Sequence, residues 1–409
     1  MKYKKINKCQ FSGSKNIEKI LSLGMIPPVN QMFKIGEEHK KHDYFPTEIY
    51  FCPISKLVQL GTIVDKSILF PKSYPYTSST TKVLRDNFAE LAEETFEKFT
   101  IKKDDLVIDI GSNDGNLLNN FKSRSRILGI TPENIGKLAI KKNIPTILEY
   151  FTENLSKKIK KEYGQAKIIT ATNVFAHIDN INQILKSIYN LLDNNGIFIS
   201  ESHYLDTLIE QNQYDTIYHE HLRYYSLSSL QYLFNQHNME IISAKKINPH
   251  GGSIRVYASK KNQYKIENHY IDLIQSEKDN LFSEKLYNFK FKVEKSKEEI
   301  NSVLNEIKIK GLKIYGISAP SRATTLLNYL KVNRNIIDCI LEIEGSQKIN
   351  HYLPGTKIPI YNEKKIYEDQ PEYALILSWH ITDEIIKNLR KKGYKGKFII
   401  PLPNPQIID

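Results

Sequence analysis

From residue 105 onward, short apolar runs alternate with stretches of helical spacing, and no other feature of the chain restricts its fold as much. The apolar runs at 106–110, 127–130, 167–171 and 196–201 are strand-length, and segments such as 182–192 between them repeat apolar side chains every three or four residues. That order predicts an α/β fold, a Rossmann-like parallel sheet covered on both faces. Residues 238–258 depart from it, since two apolar runs flank His250-Gly-Gly252 and predict an antiparallel pair. One long amphipathic helix is predicted over 278–310, with Phe282, Leu286, Phe289, Val293, Ile300, Leu304 and Ile307 as its buried stripe. Further strands at 313–317, 337–341, 374–377 and 398–400 predict a second, smaller α/β unit. Upstream, Gly24, Pro27, Pro28, Pro53, Pro71 and Pro75 punctuate the chain and exclude a long helix. A length of 409 residues exceeds one ordinary core, and the divisions expected are 1–80, 81–260 and 261–409.

Composition excludes several classes. The chain is 40% hydrophobic and 25% charged, which is globular rather than disordered. No apolar run approaches the roughly 20 residues of a membrane span, and Met1-Lys-Tyr-Lys-Lys is followed by no apolar signal core. A soluble, cytoplasmic protein is expected, with no membrane partner. Cys9, Cys52 and Cys339 are too few for a disulfide framework. The net charge of +12 is spread over helical stretches, with no nucleic-acid motif beside it. A solvated lysine surface accounts for it, and a nucleotide diphosphate would serve as an acidic partner as well as nucleic acid.

The run Asp109-Ile-Gly111-Ser-Asn-Asp-Gly115 follows an apolar strand and precedes a helix. Gly111 permits a backbone turn close to a ligand, and the helix start favours negative groups. The spacing differs from the dinucleotide pattern Gly-x-Gly-x-x-Gly. It is similar to the loop of S-adenosylmethionine-dependent methyltransferases, which implies that Asp109, Gly111, Ser112, Asn113 and Gly115 line the cofactor's amino-acid tail and ribose. In that class an acidic residue usually ends the second strand. Here Thr131 stands at that position, and Glu133 is placed to substitute from the next turn. Phe151 and Thr152 would neighbour the adenine, although Phe151 reads equally as core.

Beyond that loop, the chain resembles the sugar C-methyltransferases that act on nucleotide-linked deoxy-keto sugars. The runs that carry the resemblance include Pro28-Val-Asn30, Tyr74-Pro-Tyr76, Asn173-Val-Phe-Ala-His177, Tyr214-Asp-Thr-Ile-Tyr-His-Glu-His221, His250-Gly-Gly-Ser-Ile-Arg255 and Thr325-Leu-Leu-Asn-Tyr329. The resemblance implies three parts: a small zinc-binding domain, a cofactor-binding domain and a C-terminal domain that completes the nucleotide-sugar site. Zinc in such proteins sits on two Cys-x-x-Cys pairs. Here they read Cys9-Gln-Phe-Ser12 and Cys52-Pro-Ile-Ser55. A serine hydroxyl is a poor replacement for a thiolate, so no metal is expected.

The implied reaction removes a proton from a carbon beside a ketone and stabilises the enolate as it forms. His221 is the first choice of base, because imidazole titrates near neutrality. Tyr218 is the second, as base or proton shuttle. In an extended segment His219 and His221 would share one face, whereas a turn would bring Tyr218, Glu220 and His221 together. The resemblance implies the turn, with His219 structural. His177 is implied as a further active-site group, and Asn173 as a cofactor neighbour. Tyr74, Tyr76, Glu201, Tyr204, His250, Arg255, Arg322 and Lys348 are expected to contact the substrate, with Arg255 and Arg322 as phosphate partners. His203 is a local difference close to these. Methylation of a sugar oxygen or nitrogen, or a binding protein without catalysis, are the alternatives.

Overall fold

The structure, a computed structural model, describes residues 2–70 and 81–409. The turn-rich N-terminal segment forms an antiparallel sheet of β1 (Glu18–Ile26), β2 (Phe45–Cys52) and β3 (Leu57–Leu60). Burial alternates along β2, as expected of a strand with one face inward. Helix α1 (Lys82–Lys98) then packs Leu84, Phe88 and Leu91 against the central sheet.

The central sheet contains β4 (Leu106–Ile110), β5 (Arg126–Ile130), β6 (Thr146–Ile147), β7 (Ala166–Thr172) and β8 (Leu192–His203), all parallel. Every residue of β4 is buried, as suits a central strand covered on both faces. A strand from the middle of the chain, β9 (Arg223–Tyr224), pairs with β3 and so completes the N-terminal sheet. The antiparallel pair β10 (Met239–Ile247) and β11 (Ser253–Lys260) closes one edge of the central sheet, whose order is β10-β11-β8-β7-β4-β5-β6. After β4 the chain builds outward through β5 and β6, then returns to the other side through β7. The C-terminal ends of β4 and β7 thus flank a topological switch point, where open α/β sheets bind ligands.

The long helix differs from the sequence expectation. It begins at Asn268, passes through one π-helical turn at Leu281–Lys285, and continues as α2 (Leu286–Ile309). Leu281 and Leu286 are both fully buried. Five residues apart, they would diverge on a regular helix, and the wider turn brings them to one face.

The C-terminal unit has β12 (Ile314–Ile317), α3 (Ser321–Leu330), β13 (Cys339–Glu342), β14 (Ile360–Asn362), β15 (Tyr373–Ile376), β16 (Lys397–Ile400) and β17 (Gln406–Ile408). The order β14-β13-β12-β15-β16-β17 is parallel except for β17, and its own switch point lies between β12 and β15. One apolar core joins Ile49 and Leu60 of the first segment, Tyr214 and Ile217 of the second, and Leu326 and Ile340 of the third. The three segments are therefore packed on a shared core around the Tyr214–His221 run. Among the described residues no helix is long and apolar enough to cross a membrane.

Candidate active site

The loop after β4 is shaped by residues that tolerate left-handed backbone. Gly111 has φ +81°, and a Cβ there would overlap the side chain of Val174, which follows β7. Asn113 (φ 50°) and Gly115 (φ +78°) are also left-handed, and Gly115 opens the short helix Asn116–Asn119. The Ser112 hydroxyl is buried and has no hydrogen-bond partner among the described residues. Thr131 donates to the Glu133 carboxylate, so the residue at the expected acidic position holds an acid from the next turn. An orphaned hydroxyl and a positioned carboxylate beside a glycine loop fit the amino-acid and ribose ends of S-adenosylmethionine. Gly111, Ser112, Asn113, Gly115 and Glu133 are the residues that would hold it.

Other residues expected near the cofactor make contacts within the fold. Asp109 is 2% exposed and accepts from Thr170 Oγ1 at 2.7 Å. Burial, with repulsion from Glu201, pushes its carboxyl up to about 7. Phe151 packs in the central core with Leu155, and Thr152 caps the following helix through Leu155 N at 3.2 Å. Asn173 (φ 56°) sits at the switch point and ties β7 to β8 through Glu201 O at 2.8 Å.

The run Tyr218–His221 is a turn, closed by His221 N to Tyr218 O at 3.0 Å. The turn brings the Tyr218 and His221 rings to 4.2 Å and the His177 and His221 rings to 5.1 Å. His177 follows Val174 on a single 3₁₀ turn, so one turn of chain links the group of rings to the residue that borders Gly111. Backbone carbonyls fix both imidazoles. His221 Nδ1 donates to Thr216 O at 2.8 Å, and His177 Nδ1 donates to Glu220 O at 2.6 Å. A carbonyl only accepts, so each ring carries its proton on Nδ1 and keeps a lone pair on Nε2. Burial, then repulsion from His177 and His250 once they protonate and from the Arg322 guanidinium, pulls the His221 imidazole down to about 3. Burial likewise lowers His177. His219 points the other way and bonds Thr47 Oγ1 at 3.1 Å and Pro46 O at 3.3 Å, a structural role.

The remaining walls come from the other two segments. Asn30 donates to Glu220 Oε1 at 2.8 Å and accepts from Ser321 Oγ at 3.2 Å. Lys348 donates to Ala319 O at 2.6 Å and faces Glu220 and Glu342. Tyr218, His221, His177, His203, His250 and His380 are all half-buried, as residues lining a cleft are. The His203 ring lies 5.1 Å from His221 and 5.7 Å from His250. His250 has φ 60°, and its Nε2 is buried without a partner among the described residues. A left-handed backbone and an orphaned polar atom together make His250 a candidate ligand contact. Arg322 is turned inward: its guanidinium pairs with Asp215 Oδ2 at 3.5 Å, donates to His380 Nδ1 at 3.0 Å, and reaches Gln213 Oε1 at 3.3 Å. Sequence reading missed Asn30, Gln213, Asp215, Trp379 and His380. The Pro28-Val-Asn30 run and Asp215's place beside the histidine run were the available signals.

Three expected substrate contacts are corrected. Arg255 and Glu201 are both 0% exposed and bond each other at 2.6 Å, while Arg255 also reaches Asn87 Oδ1 at 2.9 Å and Glu94 Oε2 at 2.7 Å. This network fastens α1 to the sheet and leaves Arg255 no surface for a phosphate. Tyr204 is buried with its hydroxyl on Glu277 Oε2 at 2.8 Å, and Glu277 also accepts from Leu227 N and Ser228 N at the start of a helix. Tyr74 and Tyr76 lie outside the described residues.

The four positions of the paired-cysteine pattern converge near β2. Cys9 Sγ lies 3.1 Å from Ser55 Oγ, and Ser12 Oγ lies 3.7 Å from Cys52 Sγ. Phe11 N and Ser12 N point at Cys9 Sγ at 3.4 and 3.5 Å. Each thiol thus faces the hydroxyl of the other pair. Two thiols and two neutral hydroxyls do not make a structural zinc site. Among the described residues no group of three or more His, Cys, Asp or Glu side chains is placed to share a metal ion.

Residues 9–70 match the family described as "Putative zinc binding domain", residues 76–244 "Methyltransferase domain", and residues 248–403 "C-methyltransferase C-terminal domain". The chain is 27% identical to C-methyltransferase NovU of Streptomyces niveus over 410 residues, spanning 99% of this chain and 97% of that protein. Among solved structures, a putative methyltransferase of Haloferax volcanii with its Trm112 activator is 10% identical with a TM-score of 0.35, covering 43% of this chain and 92% of that one. Magnesium protoporphyrin IX methyltransferase of Synechocystis PCC 6803 is 10% identical with a TM-score of 0.33, covering 43% and 79%.

Proposed function

We propose that this chain, an S-adenosylmethionine-dependent C-methyltransferase, places its methyl group on a carbon beside the ketone of a nucleotide-linked 4-keto-6-deoxysugar, in the cytoplasm. The matched methyltransferase and C-methyltransferase C-terminal domains and the likeness to C-methyltransferase NovU support transfer to carbon; the acceptor, the compartment and the roles of the residues are what this reading adds. The observation that carries it is the pair of adjacent imidazoles, His221 and His177, both locked with unprotonated Nε2 atoms beside the Tyr218 ring.

Such a pair suits proton abstraction from carbon. His221 accepts the α-proton at Nε2, directly or through the Tyr218 hydroxyl, while Thr216 O keeps the ring oriented. The imidazolium that forms is tolerated because an enolate forms with it. Glu220 is held by Asn30 and faces Lys348, so it is placed to accept a sugar hydroxyl. His177 follows Val174, which borders Gly111, and is placed to polarise the ketone or line the methyl's path. S-adenosylmethionine supplies the electrophilic methyl when bound. Orientation of the two reactants in one cleft gives much of the acceleration.

The test is incubation with labelled S-adenosylmethionine and a panel of dTDP- and GDP-4-keto-6-deoxysugars, with the methyl located by NMR. Label on a carbon next to the ketone is expected. Label on oxygen or nitrogen, or no turnover from a folded sample that binds S-adenosylhomocysteine, would overturn the reading.

A further inference from the structure

The crevice between β12 and β15 holds a polar chain that the methyl-transfer chemistry leaves unused. Arg322 follows β12 at the start of α3, and Trp379 and His380 follow β15, so they flank the switch point of the second sheet. Asp215, 0% exposed, crosses from the histidine run and accepts from Trp379 Nε1 at 2.8 Å while pairing with Arg322 Nε at 3.5 Å. The Arg322 guanidinium also lies 5.1 Å over the Trp379 ring. Gln213 accepts from Arg322 and donates to Gly251 O at 2.5 Å, which ties the assembly to the strained His250 loop. Arg322 is therefore held on several sides and cannot swing outward.

Its contact with His380 fixes a proton. A guanidinium has only donors, so His380 Nδ1 must accept at 3.0 Å, and the ring's one proton sits on Nε2. The half-buried ring is thus a neutral donor of fixed direction, set at a crevice beside His250, whose own Nε2 has no partner among the described residues. The ligand such a place takes is an oxyanion: it accepts from neutral imidazole N–H groups and lies in the positive field of a guanidinium.

We infer that His380, oriented by the positioning residues Asp215 and Arg322, donates its Nε2–H to the diphosphate of the nucleotide-linked substrate, with His250 as a second contact. This rests on the nucleotide-sugar reading above and adds a specificity residue to it. Arg322 acts through His380 rather than on the phosphate directly.

Calorimetry with UDP, dTDP and GDP, run beside S-adenosylhomocysteine, tests it. His380→Leu should weaken the preferred nucleoside diphosphate about 10- to 100-fold, the worth of one hydrogen bond to a charged acceptor, and leave S-adenosylhomocysteine unchanged. Arg322→Lys should weaken it too, because an ammonium cannot hold the ring as the fork does. His380→Asn restores a donor that also accepts from Arg322, and should recover most of the affinity where His380→Leu does not. Wild-type affinity in His380→Leu overturns this inference alone. A wild-type protein that binds S-adenosylhomocysteine but no nucleoside diphosphate overturns both this inference and the acceptor proposed above.

Discussion

Substituting Gly111 by alanine tests the cofactor loop most sharply, because two separate costs can be read at that position. The first is conformational: at φ +81° an L side chain is strained by roughly 1–2 kcal/mol. The second is steric. The new methyl would lie 3.1 Å from both Cβ and Cγ1 of Val174 and nearer still to Cγ2, and such overpacking costs about 1–3 kcal/mol. Together the native loop conformation should become about 2–5 kcal/mol less favourable. Either the fold carries this, lowering the urea midpoint, or the loop shifts to relieve it and must be restored when the cofactor binds. In the second case the steric share alone weakens binding by about 5- to 150-fold. Urea denaturation and calorimetry with S-adenosylhomocysteine measure the two. Adding Val174→Ala removes both methyl groups of the obstacle and leaves only its Cβ at 3.1 Å, so the double variant should regain most of the steric share and keep the conformational one. A Gly111→Ala protein with unchanged midpoint and unchanged affinity would refute the reasoning.

Acid titration should separate this site from an ordinary histidine site. Burial and repulsion from the neighbouring histidines and Arg322 hold His221 near 3 rather than 6.5, so it stays deprotonated as pH falls, and kcat/KM should show no acid limb near 6.5. An anionic substrate opposes the Arg322 charge, so the acid limb of kcat should lie higher than that of kcat/KM; coincident limbs near 6.5 would contradict the assignment. The same lowered values for His177, His203, His219, His221, His250 and His380 mean that the unfolded chain takes protons the folded one refuses, so stability held above about pH 6.5 should fall as pH drops below it in urea titrations. Chelation should leave the melting temperature unchanged, because the thiol–hydroxyl cluster needs no metal. Ser12→Cys with Ser55→Cys completes four thiols in place, and should bind one zinc and gain about 2.7 kcal/mol at a hundredfold excess over Kd; a chelator-sensitive wild type would contradict this.

The parallel sheet and the glycine loop were legible because their signals are local. A run of apolar residues such as 106–110 declares a central strand, and Gly111 and Gly115 mark backbone that few other residues adopt. The turn at Tyr218–His221 was not legible from spacing, which suits an extended strand equally; the resemblance implied it. Arg255 was misread because an arginine beside a glycine loop looks the same in sequence whether it meets a ligand or a buried glutamate. The partners that decide it, Glu201, Asn87 and Glu94, come from other elements. Asn30 and His380 escaped for the same reason, since each reaches the cleft from a different sheet. The π turn escaped because the pattern of Phe282, Leu286 and Phe289 fits a regular helix, and the burial of Leu281 emerges only from the tertiary core.

Proton exchange tests the central claim most directly. The protein is mixed in D2O with a nucleotide-linked 4-keto-6-deoxysugar and S-adenosylhomocysteine, which has no methyl to give, and loss of the proton beside the ketone is followed by NMR. Exchange well above the protein-free rate is expected, and His221→Asn should slow it by about 10²- to 10⁴-fold. Methyl transfer to carbon at the wild-type rate by His221→Asn, or no exchange in a protein that does methylate that carbon, would contradict the account.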